Sequence, residues 1–290
     1  MSFILGIDGG GTGCRAVLAD ASGRVIGQGQ GGAANIRSDL QGSLAHILAA
    51  TAEAARGHDI PHDQIRATLG LAGANVSAVA EAFLALLPFG RAQIVSDGLT
   101  ATRGALGRSD GILAALGTGS VFSVQYQGQI RQVGGRGFML GDEGSGAQLG
   151  RALLADVLRA DDGLLPMTPL LAGVLAEFGG GEEIIAWSFR ATPGEYAALA
   201  PRIAASEDPA ARAIMARAAA QLREIILGLQ PGGALLPVSY IGGLGPAYAQ
   251  LLREDWPEAK AQGTGLDGAL QLALEMAPLP GAAGAGSAVR

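Results

Sequence analysis

The sequence predicts an α/β protein of two domains, and three observations support that class. Its 290 residues suffice for about two domains of ~150 residues, and a hydrophobic content of 49% gives each domain a core. Short apolar runs alternate with helical patterns, which indicates crossover connections and parallel strands. A pattern of strand, glycine-rich loop and two further strands occurs at the start of the chain and again from residue 111. The predicted domains are residues 1–110 and residues 111–290, with a helical insertion in the second.

The first domain is predicted to begin with three antiparallel strands at residues 3–8, 14–20 and 24–30, the last two joined by the turn sequence DASG. An amphipathic helix follows, and Ser38 and Gln41 stand at the spacing of a capping box at its start. The apolar face of that helix consists of Leu40, Leu44, Ile47, Leu48, Thr51 and Ala55. The remaining predicted elements are a strand at 65–71, a helix at 76–87, a strand at 91–96 and a helix from about residue 98.

The second domain is predicted to repeat that opening. The stretch GILAALGTGSVFSVQYQGQIRQVGG contains an apolar strand, a glycine-threonine loop, a second strand, a tight turn at QG and a third strand. The chain then becomes mainly helical, and one long helix is bounded by Asp208 and Pro209 at its start and by Pro231 after its end. A last strand at residues 235–241 leads into GGLGPAY.

Composition narrows the classes of partner. A net charge of −6 provides no basic stripe for a nucleic-acid backbone or an anionic membrane, so any bound phosphate is expected to belong to a small molecule. The longest apolar stretches fall short of the roughly 18 residues of a membrane span, and no signal-peptide pattern is recognisable. A single cysteine, Cys14, excludes an intramolecular disulfide and a four-cysteine cluster supplied by the chain. These features predict a cytoplasmic protein without a nucleic-acid or membrane partner.

The stretch LGIDGGGTGCR places a glycine-rich loop directly after the first predicted strand. There Gly9, Gly10 and Gly11 let backbone amides face an anion without a β-carbon in the way, and Thr12 adds a hydroxyl donor. Asp8 is compatible with bound phosphates only if a divalent cation lies between, which predicts Mg²⁺ held largely through water. The alternative is a glycine-rich hairpin turn without a ligand. The loop is neither a Walker loop nor a dinucleotide fingerprint, because no lysine follows and the next element is a strand.

A second loop with the same chemistry, LGTGS, follows the first strand of the second domain. Gly117, Thr118, Gly119 and Ser120 offer further amide and hydroxyl donors, so two loops across an interdomain cleft are predicted to clamp one polyphosphate. Between the loops, IVSDGLTATRGAL places Asp97 at the carboxyl end of an apolar strand and at the start of a helix. Asp97 is either the helix N-cap or a general base that accepts the proton of an attacking hydroxyl, and its position favours the base.

Two further glycine-rich segments have the composition of ligand-binding loops. GGRGFMLGDEGSGAQLG places Asp142 and Glu143 between glycines and before a helix, where paired carboxylates suit carbohydrate hydroxyls or a metal ion, and Ser145 suits a helix cap. In IGGLGPAY, a strand, a bend at Gly242 and Gly243 and a helix started by proline allow a flat ligand such as adenine to approach the backbone.

Taken in order, GIDGGGT, IVSDGLTATRGAL, GILAALGTGS, GDEGSGAQLG and YIGGLGPAY resemble the phosphate-1, connect-1, phosphate-2, family-specific and adenosine motifs of the hexokinase, Hsp70 and actin superfamily. More specifically, they resemble the BadF/BadG/BcrA/BcrD-type ATPase family and its branch of N-acetylglucosamine and glucosamine kinases. The resemblance spans residues 3–273, where GTGLDGALQLA is similar to the C-terminal helix of the family. GDEGSG is its most specific part.

The resemblance implies two ribonuclease-H-like domains of the actin-like ATPase type. Such domains close on ATP, Mg²⁺ and an amino sugar and transfer the γ-phosphate to the 6-hydroxyl of N-acetylglucosamine or glucosamine. Asp97 matches the catalytic base, Asp8 the magnesium-side carboxylate, and Gly242 and Gly243 the adenosine bend, while the two glycine-threonine loops match the phosphate loops. Relatives imply a homodimer. The sugar site implied in this way consists of Asn35, Asp97, Arg136, Asp142 and Glu143.

Two positions depart from the pattern of the family. Cys14 stands where a hydroxyl residue is common, so one phosphate-side hydrogen bond is missing or replaced by an amide. Arg136 stands in GGRG where many sugar kinases have tryptophan, which leaves open an acidic or differently decorated sugar such as N-acetylmuramic acid. A further alternative is a non-kinase nucleotide-binding ATPase or activator of the same fold. An activator that bridges two subunits with an iron-sulfur cluster would need cluster cysteines, and Cys14 is the only cysteine.

Overall fold

A computed structural model describes residues 2–74 and 76–279 and confirms the α/β class. The strands among these residues are β1 (Phe3–Gly9), β2 (Cys14–Ala19), β3 (Val25–Gly31), β4 (Ile65–Leu71), β5 (Arg91–Ser96), β6 (Gly111–Leu116), β7 (Ser120–Tyr126), β8 (Gln129–Gly134) and β9 (Val238–Ile241). The α-helices are α1 (Leu40–Ala54), α2 (Ser77–Leu84), α3 (Asp97–Leu106), α4 (Gly146–Asp161), α5 (Pro169–Phe178), α6 (Gly181–Ser188), α7 (Pro193–Ala197), α8 (Ala200–Ala204), α9 (Pro209–Leu229), α10 (Gly245–Leu251) and α11 (Gly265–Glu275).

The chain divides into two compact units. The first contains the described residues up to Ser109 together with residues 261–279, and the second contains Asp110–Lys260. This division differs from the predicted domains 1–110 and 111–290, because the last described helix, α11, returns to the first unit. It packs closely on α3 where side chains are missing: a Cβ on Gly104 would lie 1.8 Å from the carbonyl oxygen of Thr264. A boundary drawn along the sequence does not detect a helix that returns in this way.

The first unit is built on a five-stranded sheet with the order β3-β2-β1-β4-β5. β1, β2 and β3 pair antiparallel through short connections, whereas β4 and β5 run parallel to β1 after crossovers that contain α1 and α2. Leu5 and Ile7 of β1 belong to a core with Ile47 of α1 and Phe83 of α2. Alternation turns Ile4 to the other face, where it packs with Ala273 of α11.

The second unit repeats this topology with one strand fewer among its described residues. Its sheet has the order β8-β7-β6-β9, in which β9 is parallel to β6 and the other pairs are antiparallel. Where the first sheet has its fifth strand, a single parallel bridge joins Val238 to Glu258. Helices supply the core, including Leu153, Leu222 and Tyr248, against Phe122 of β7. The predicted repeat is confirmed, and both sheets have the ribonuclease-H-like strand order.

Several predicted element ends differ from the observed ones. The cap of α1 is Asp39, which accepts a hydrogen bond from the Gly42 amide (2.8 Å), so the predicted capping box is wrong. The hydroxyl of Ser38 donates instead to the carbonyl of Asn35. α2 ends before residue 87, because a residue that precedes proline avoids helical geometry. β9 begins only after Pro237, which lacks an N–H for the ladder.

Candidate active site

The carboxyl ends of three parallel strands meet at one edge of the first sheet, where β1, β4 and β5 end in register. The segment after β3 reaches the same edge, because Asn35 forms a bridge with Ala72. Ligand sites in open α/β sheets lie outside the carboxyl ends of the strands. The side chains predicted to hold magnesium, contact the sugar and accept the proton are Asp8, Asn35 and Asp97, and the fold brings all three to this edge.

The loop between β1 and β2 is a tight turn closed by a hydrogen bond from the Gly10 amide to the Gly13 carbonyl (2.9 Å). Gly10 and Gly11 have φ angles outside the left-handed region, and a Cβ on either would enter open space. The fold therefore does not require glycine at these two positions. Gly9 differs, because a Cβ there would lie 2.7 Å from a core leucine. With Thr12 exposed, the turn presents an open strip of backbone to a ligand.

Asp97 is the first residue of α3 but not its cap. Ser96 caps the helix by accepting a hydrogen bond from the Leu99 amide (3.2 Å), so the N-cap alternative for Asp97 is wrong. The Asp97 residue is exposed at the sheet edge, and its Oδ1 accepts from the Gly98 amide (2.9 Å). Surrounding protein nevertheless removes part of its hydration, and the charge of Asp8 repels it, so the pKa of Asp97 is raised above its ordinary value. A raised pKa suits a carboxylate that takes up a proton.

Asp8 forms an ion pair with Arg15, whose Nη2 lies 2.6 Å from Oδ2 of Asp8. The two residues stand opposite each other in the β1–β2 register, so their side chains share one face of the sheet. The start of α11 closes this face, because a Cβ on Gly265 would lie 3.1 Å from Oδ1 of Asp8. Arg15 and Gly265 are not among the residues predicted from sequence. The hairpin register was the signal for Arg15, since a turn between residues 9 and 14 pairs residue 8 with residue 15.

The segment that contains Asn35 is fastened to the first glycine loop. The amide of Ala34 donates to the carbonyl of Gly10 (2.8 Å), and Oδ1 of Asn35 accepts from the amide of Arg37 (3.1 Å). On α1, Nδ1 of His46 lies 2.7 Å from the carbonyl oxygen two residues before Asn35. These contacts hold the amide side chain of Asn35 beside the predicted phosphate loop.

The second glycine loop is joined to the first turn of α4. The Gly117 amide donates to the Gly119 carbonyl (2.9 Å) and closes the loop, while the amides of Gly146 and Ala147 donate to the carbonyls of Gly117 (2.8 Å) and Thr118 (3.2 Å). A Cβ on Gly117 would enter open space, and Thr118 is exposed. The second loop therefore also offers open backbone, but its own carbonyls are already bound by a helix.

Asp142 and Ser120 brace this second loop from within the unit. Asp142 is buried with φ +58°, and its carboxylate accepts hydrogen bonds from the amides of Gly137 (3.2 Å) and Ser120. Burial raises the pKa of Asp142, and the charge of Glu143 adds to the rise. The Ser120 hydroxyl donates to the carbonyl of Glu143 (2.8 Å). Ser120 and Asp142, two predicted ligand contacts, thus form hydrogen bonds with each other and with the segments around the second loop.

The predicted adenosine bend lies directly beside the second loop. Gly242 has φ +87°, and a Cβ there would lie 2.3 Å from the carbonyl oxygen of Leu116, so only glycine fits. Gly243 has an ordinary φ and open space at its Cβ position. The amide of Leu244 donates to the Leu116 carbonyl (3.1 Å), which fixes the bend to the strand that precedes the loop. α10 begins behind the bend and lines a groove of about 800 Å³ together with α8 and α9.

The two departures from the family pattern have different surroundings. Cys14 is buried in the core of the first unit, and burial followed by the charge of Asp8 raises the pKa of its thiol. Its side chain therefore lies on the opposite face of β2 from Arg15. Arg136 is exposed and packs its stem on Gly141, and no ion-pair partner for it occurs among the described residues.

Protein metal clusters and membrane-spanning helices are both absent from the described part of the chain. No group of three or more His, Cys, Asp or Glu side chains in residues 2–74 and 76–279 is arranged to hold a metal ion. Within the same ranges, no helix is long and apolar enough to cross a bilayer. A magnesium site here would therefore have to rely on substrate oxygens and water in addition to protein carboxylates.

The class of protein follows from this fold and a match to a family model. The model of the BadF/BadG/BcrA/BcrD ATPase family matches residues 5–264, and the chain belongs to that family. The match includes both glycine loops, Asp97 and the adenosine bend. The resemblance stated from the motifs is thereby confirmed.

Two sugar kinases and one solved structure are similar to this chain over most of its length. The glucosamine kinase GspK of Vibrio cholerae is 34% identical over 242 residues, which cover 81% of this chain and 82% of that protein. The N-acetyl-D-glucosamine kinase of Dictyostelium discoideum is 25% identical over 312 residues, covering 94% of this chain and 97% of that one. Among solved structures, a candidate N-acetylglucosamine kinase from Chromobacterium violaceum has 34% identity and a TM-score of 0.80, covering 95% of this chain and 99% of that chain.

Proposed function

We propose that this chain is an ATP-dependent amino-sugar kinase. It transfers the γ-phosphate of ATP to the 6-hydroxyl of glucosamine or N-acetylglucosamine, with Asp97 as the general base. Family membership and the activities named for the two curated relatives support the class, an ATP:sugar phosphotransferase. The cytoplasmic location and the homodimer stay predictions.

A single observation carries the proposal: an exposed carboxylate stands beside an open glycine loop at one sheet edge. Ser96, and not Asp97, caps the helix. The pKa of Asp97 is raised by lost hydration and by the charge of Asp8. It therefore has both the exposure and the proton affinity needed to receive the hydroxyl proton of a sugar. A protein that only binds nucleotide has no use for a base at this position, whereas phosphoryl transfer to an alcohol does.

The glycine loops support ATP as the donor. At Gly10, Gly11, Gly117 and Gly243 the fold itself would accept a Cβ, so the space at these positions is open to a ligand that approaches the backbone. The first two glycines and the third lie in the predicted phosphate loops, and the fourth lies in the bend proposed for adenosine. We assign the polyphosphate to the glycine-threonine loops and the adenosine to the bend.

Asp8 fits a magnesium ion held through water. Mg²⁺ keeps several waters and commonly binds through one or two carboxylates plus the phosphates of the substrate, so a larger protein cluster is not required. When bound, the ion would neutralise charge on the transferring phosphate. Asp8 also affects the proposed base directly, because its charge raises the pKa of Asp97.

We assign the sugar to the residues around Asn35. Its segment is fastened to the first loop, so the amide group of Asn35 lies at the same sheet edge as Asp97 and can bond sugar hydroxyls. The proposed sugar contacts also include Glu143 and Arg136. Asp142 enters it indirectly, because its buried carboxylate orders the second loop and the turn before Glu143.

An ATP-coupled screen of the purified protein tests the proposal. The panel contains glucosamine, N-acetylglucosamine, N-acetylmannosamine, N-acetylmuramic acid and glucose, with ADP release as the readout. We expect kcat/KM for glucosamine or N-acetylglucosamine to exceed that for glucose at least about tenfold, the effect of one well-placed polar contact. ADP release that does not depend on any sugar would identify a nucleotide-binding ATPase instead.

Arg136 favours a second candidate within the same class. Its guanidinium is exposed and without an ion-pair partner among the described residues, so it suits a carboxylate on the sugar. N-acetylmuramic acid carries such a group. If it gives the highest kcat/KM in the panel, and Arg136→Ala removes that preference, the acidic sugar replaces glucosamine as the substrate.

A further inference from the structure

The loop that joins β8 to α4, residues 135–145, carries three of the residues assigned to the sugar: Arg136, Asp142 and Glu143. Its own sequence gives it little rigidity, because four of its residues are glycines, and ordering a glycine removes more backbone freedom than ordering any other residue. Two of its large apolar residues, Met139 and Leu140, are 85% and 86% exposed and do not anchor it in the core. The β8–α4 loop therefore depends on contacts from neighbouring helices for its conformation.

Gln148, in the first turn of α4, supplies two of these contacts. Its Nε2 donates to the carbonyl of Phe138 (2.8 Å) and to the carbonyl of Gly141 (2.8 Å). Both partners are acceptors, so the amide group directs its two N–H donors at the loop and its oxygen away from it. The two carbonyls lie on either side of the exposed pair Met139 and Leu140, so one side chain holds both ends of that segment.

The Gly141 end of this segment is in contact with the residues assigned to the sugar. A Cβ on Gly141 would lie 3.0 Å from the Cβ of Arg136, so the stem of that arginine packs directly on Gly141. Asp142 follows Gly141 in the chain and accepts a hydrogen bond from the Gly137 amide (3.2 Å). A displacement of the Gly141 carbonyl would therefore move both Arg136 and Asp142.

A second anchor of the β8–α4 loop is aromatic. The ring of Phe138 lies 5.1 Å from that of the buried Tyr196 in α7, with an angle of 36° between the ring planes. α7 in turn packs tightly on α4, since a Cβ on Gly150 would lie 1.9 Å from the carbonyl oxygen of Tyr196. The loop is thus attached to these helices by one ring and by one amide, and only the amide holds the Gly141 end.

We propose that Gln148 is a positioning residue for the amino sugar. Through the carbonyls of Phe138 and Gly141 it fixes the conformation of the β8–α4 loop, and with it the places of Arg136 and Asp142, before the sugar binds. The proposal rests on the proposed function, since the sugar assignment belongs to it. Gln148 acts through the loop and not by contact with the substrate. A loop ordered in advance spares sugar binding the entropy cost of ordering it.

Hydrogen–deuterium exchange tests the attachment of the loop independently of turnover. Gln148→Leu keeps the approximate size of the side chain and removes both donors. Its matched control is Gln221→Leu, because Gln221 is an exposed glutamine of α9 that lines the same groove of about 310 Å³ between α4 and α9. We expect amides of residues 136–144 to exchange about tenfold faster in Gln148→Leu and at the wild-type rate in Gln221→Leu.

Steady-state kinetics of the same variants test the role in sugar binding. Gln148→Leu should raise KM for the sugar about tenfold, while kcat and KM for MgATP stay within about threefold of wild type. Gln148→Glu should raise KM for the sugar further, because an oxygen then faces the two carbonyls. Phe138→Leu, which loosens the loop at its aromatic anchor, should act in the same direction with a smaller effect, and Gln221→Leu should resemble wild type.

Three results would overturn the proposal: unchanged exchange of residues 136–144 in Gln148→Leu, faster exchange with a wild-type KM for the sugar, or an equal rise of KM for sugar and MgATP. The last would show general damage, which an unfolding temperature within about 4 °C of wild type excludes. If wild type phosphorylates a sugar and Gln148→Leu has the same KM for it, only the positioning role fails. If wild type phosphorylates none of the sugars, the proposed function fails and the positioning role fails with it.

Discussion

The two glycine loops share a sequence pattern and a position after the first strand of their sheets, yet their surroundings differ. The first loop stands among charged groups, with Asp8, Arg15 and Asp97 at its edge. The second has its carbonyls bound by the first turn of α4 and is braced by the buried Asp142. A glycine-rich loop therefore lies beside charged side chains in the first unit, whereas in the second unit it is held by a helix and a buried carboxylate.

The largest effect is expected at Asp97. Asp97→Asn keeps the size of the side chain but removes its ability to accept a proton, so kcat should fall by about 10²–10⁴-fold. The affinity for MgATP, measured by calorimetry, should stay within about threefold of wild type, because the loops remain intact. Ser96→Ala is the structural control, since loss of the cap costs about 1 kcal/mol in unfolding free energy without touching the base. Wild-type turnover by Asp97→Asn would remove the distinction between the two loops.

Two glycine substitutions, one in the first loop and one in the bend beside the second loop, should differ in their effects on MgATP binding and on stability. Gly10→Ala adds a methyl group to open space in the first loop, so it should weaken MgATP about tenfold with little change in unfolding temperature. Gly242→Ala forces a side chain to φ +87° and towards the Leu116 carbonyl, and should lower stability by about 1–3 kcal/mol as well as binding. Calorimetric Kd and thermal unfolding separate the two. Equal loss of stability in both variants would show that the first loop is as constrained as the second.

The smallest effect is a shift in pH dependence. Because the pKa of Asp97 is raised, kcat/KM should fall on the acid side through a pKa above the usual aspartate value. The sign follows from the need for the ionised base: activity is present above this pKa and lost as the pH falls through it. Asp8→Asn removes a neighbouring negative charge, so the acid limb of its residual activity should move to lower pH. An unmoved or upward-shifted limb would contradict the coupling of Asp8 to Asp97.

The sequence predicted the framework of both units well, because strand, turn and helix signals are local. The repeated strand pattern, the strand that contains Asp8, the strand before Asp97 and the long helix from Pro209 needed only periodicity and turn residues. The Asp97 position followed from its place between a strand and a helix, and that position favoured the base over the cap. The structure excludes the cap, because Ser96, one residue earlier, caps the helix.

What escaped prediction depends on contacts between distant segments. The return of α11 to the first unit rests on glycines in three elements, among them Gly6 and Gly268, and no single stretch reveals it. The burial of Asp142 depends on loop geometry with positive φ, so its carboxylate could not be distinguished from an exposed one. Cys14 was read as part of the loop, whereas strand alternation turns its thiol to the core and Arg15 to the site.

The most direct measurement is the structure of the product formed by the wild-type enzyme. The protein is incubated with MgATP and glucosamine or N-acetylglucosamine, and the product is analysed by ³¹P and ¹³C nuclear magnetic resonance. The account predicts one phosphomonoester on carbon 6 for each ATP converted to ADP. A phosphate on carbon 1, or conversion of ATP to ADP and free phosphate with the sugar unchanged, would contradict it.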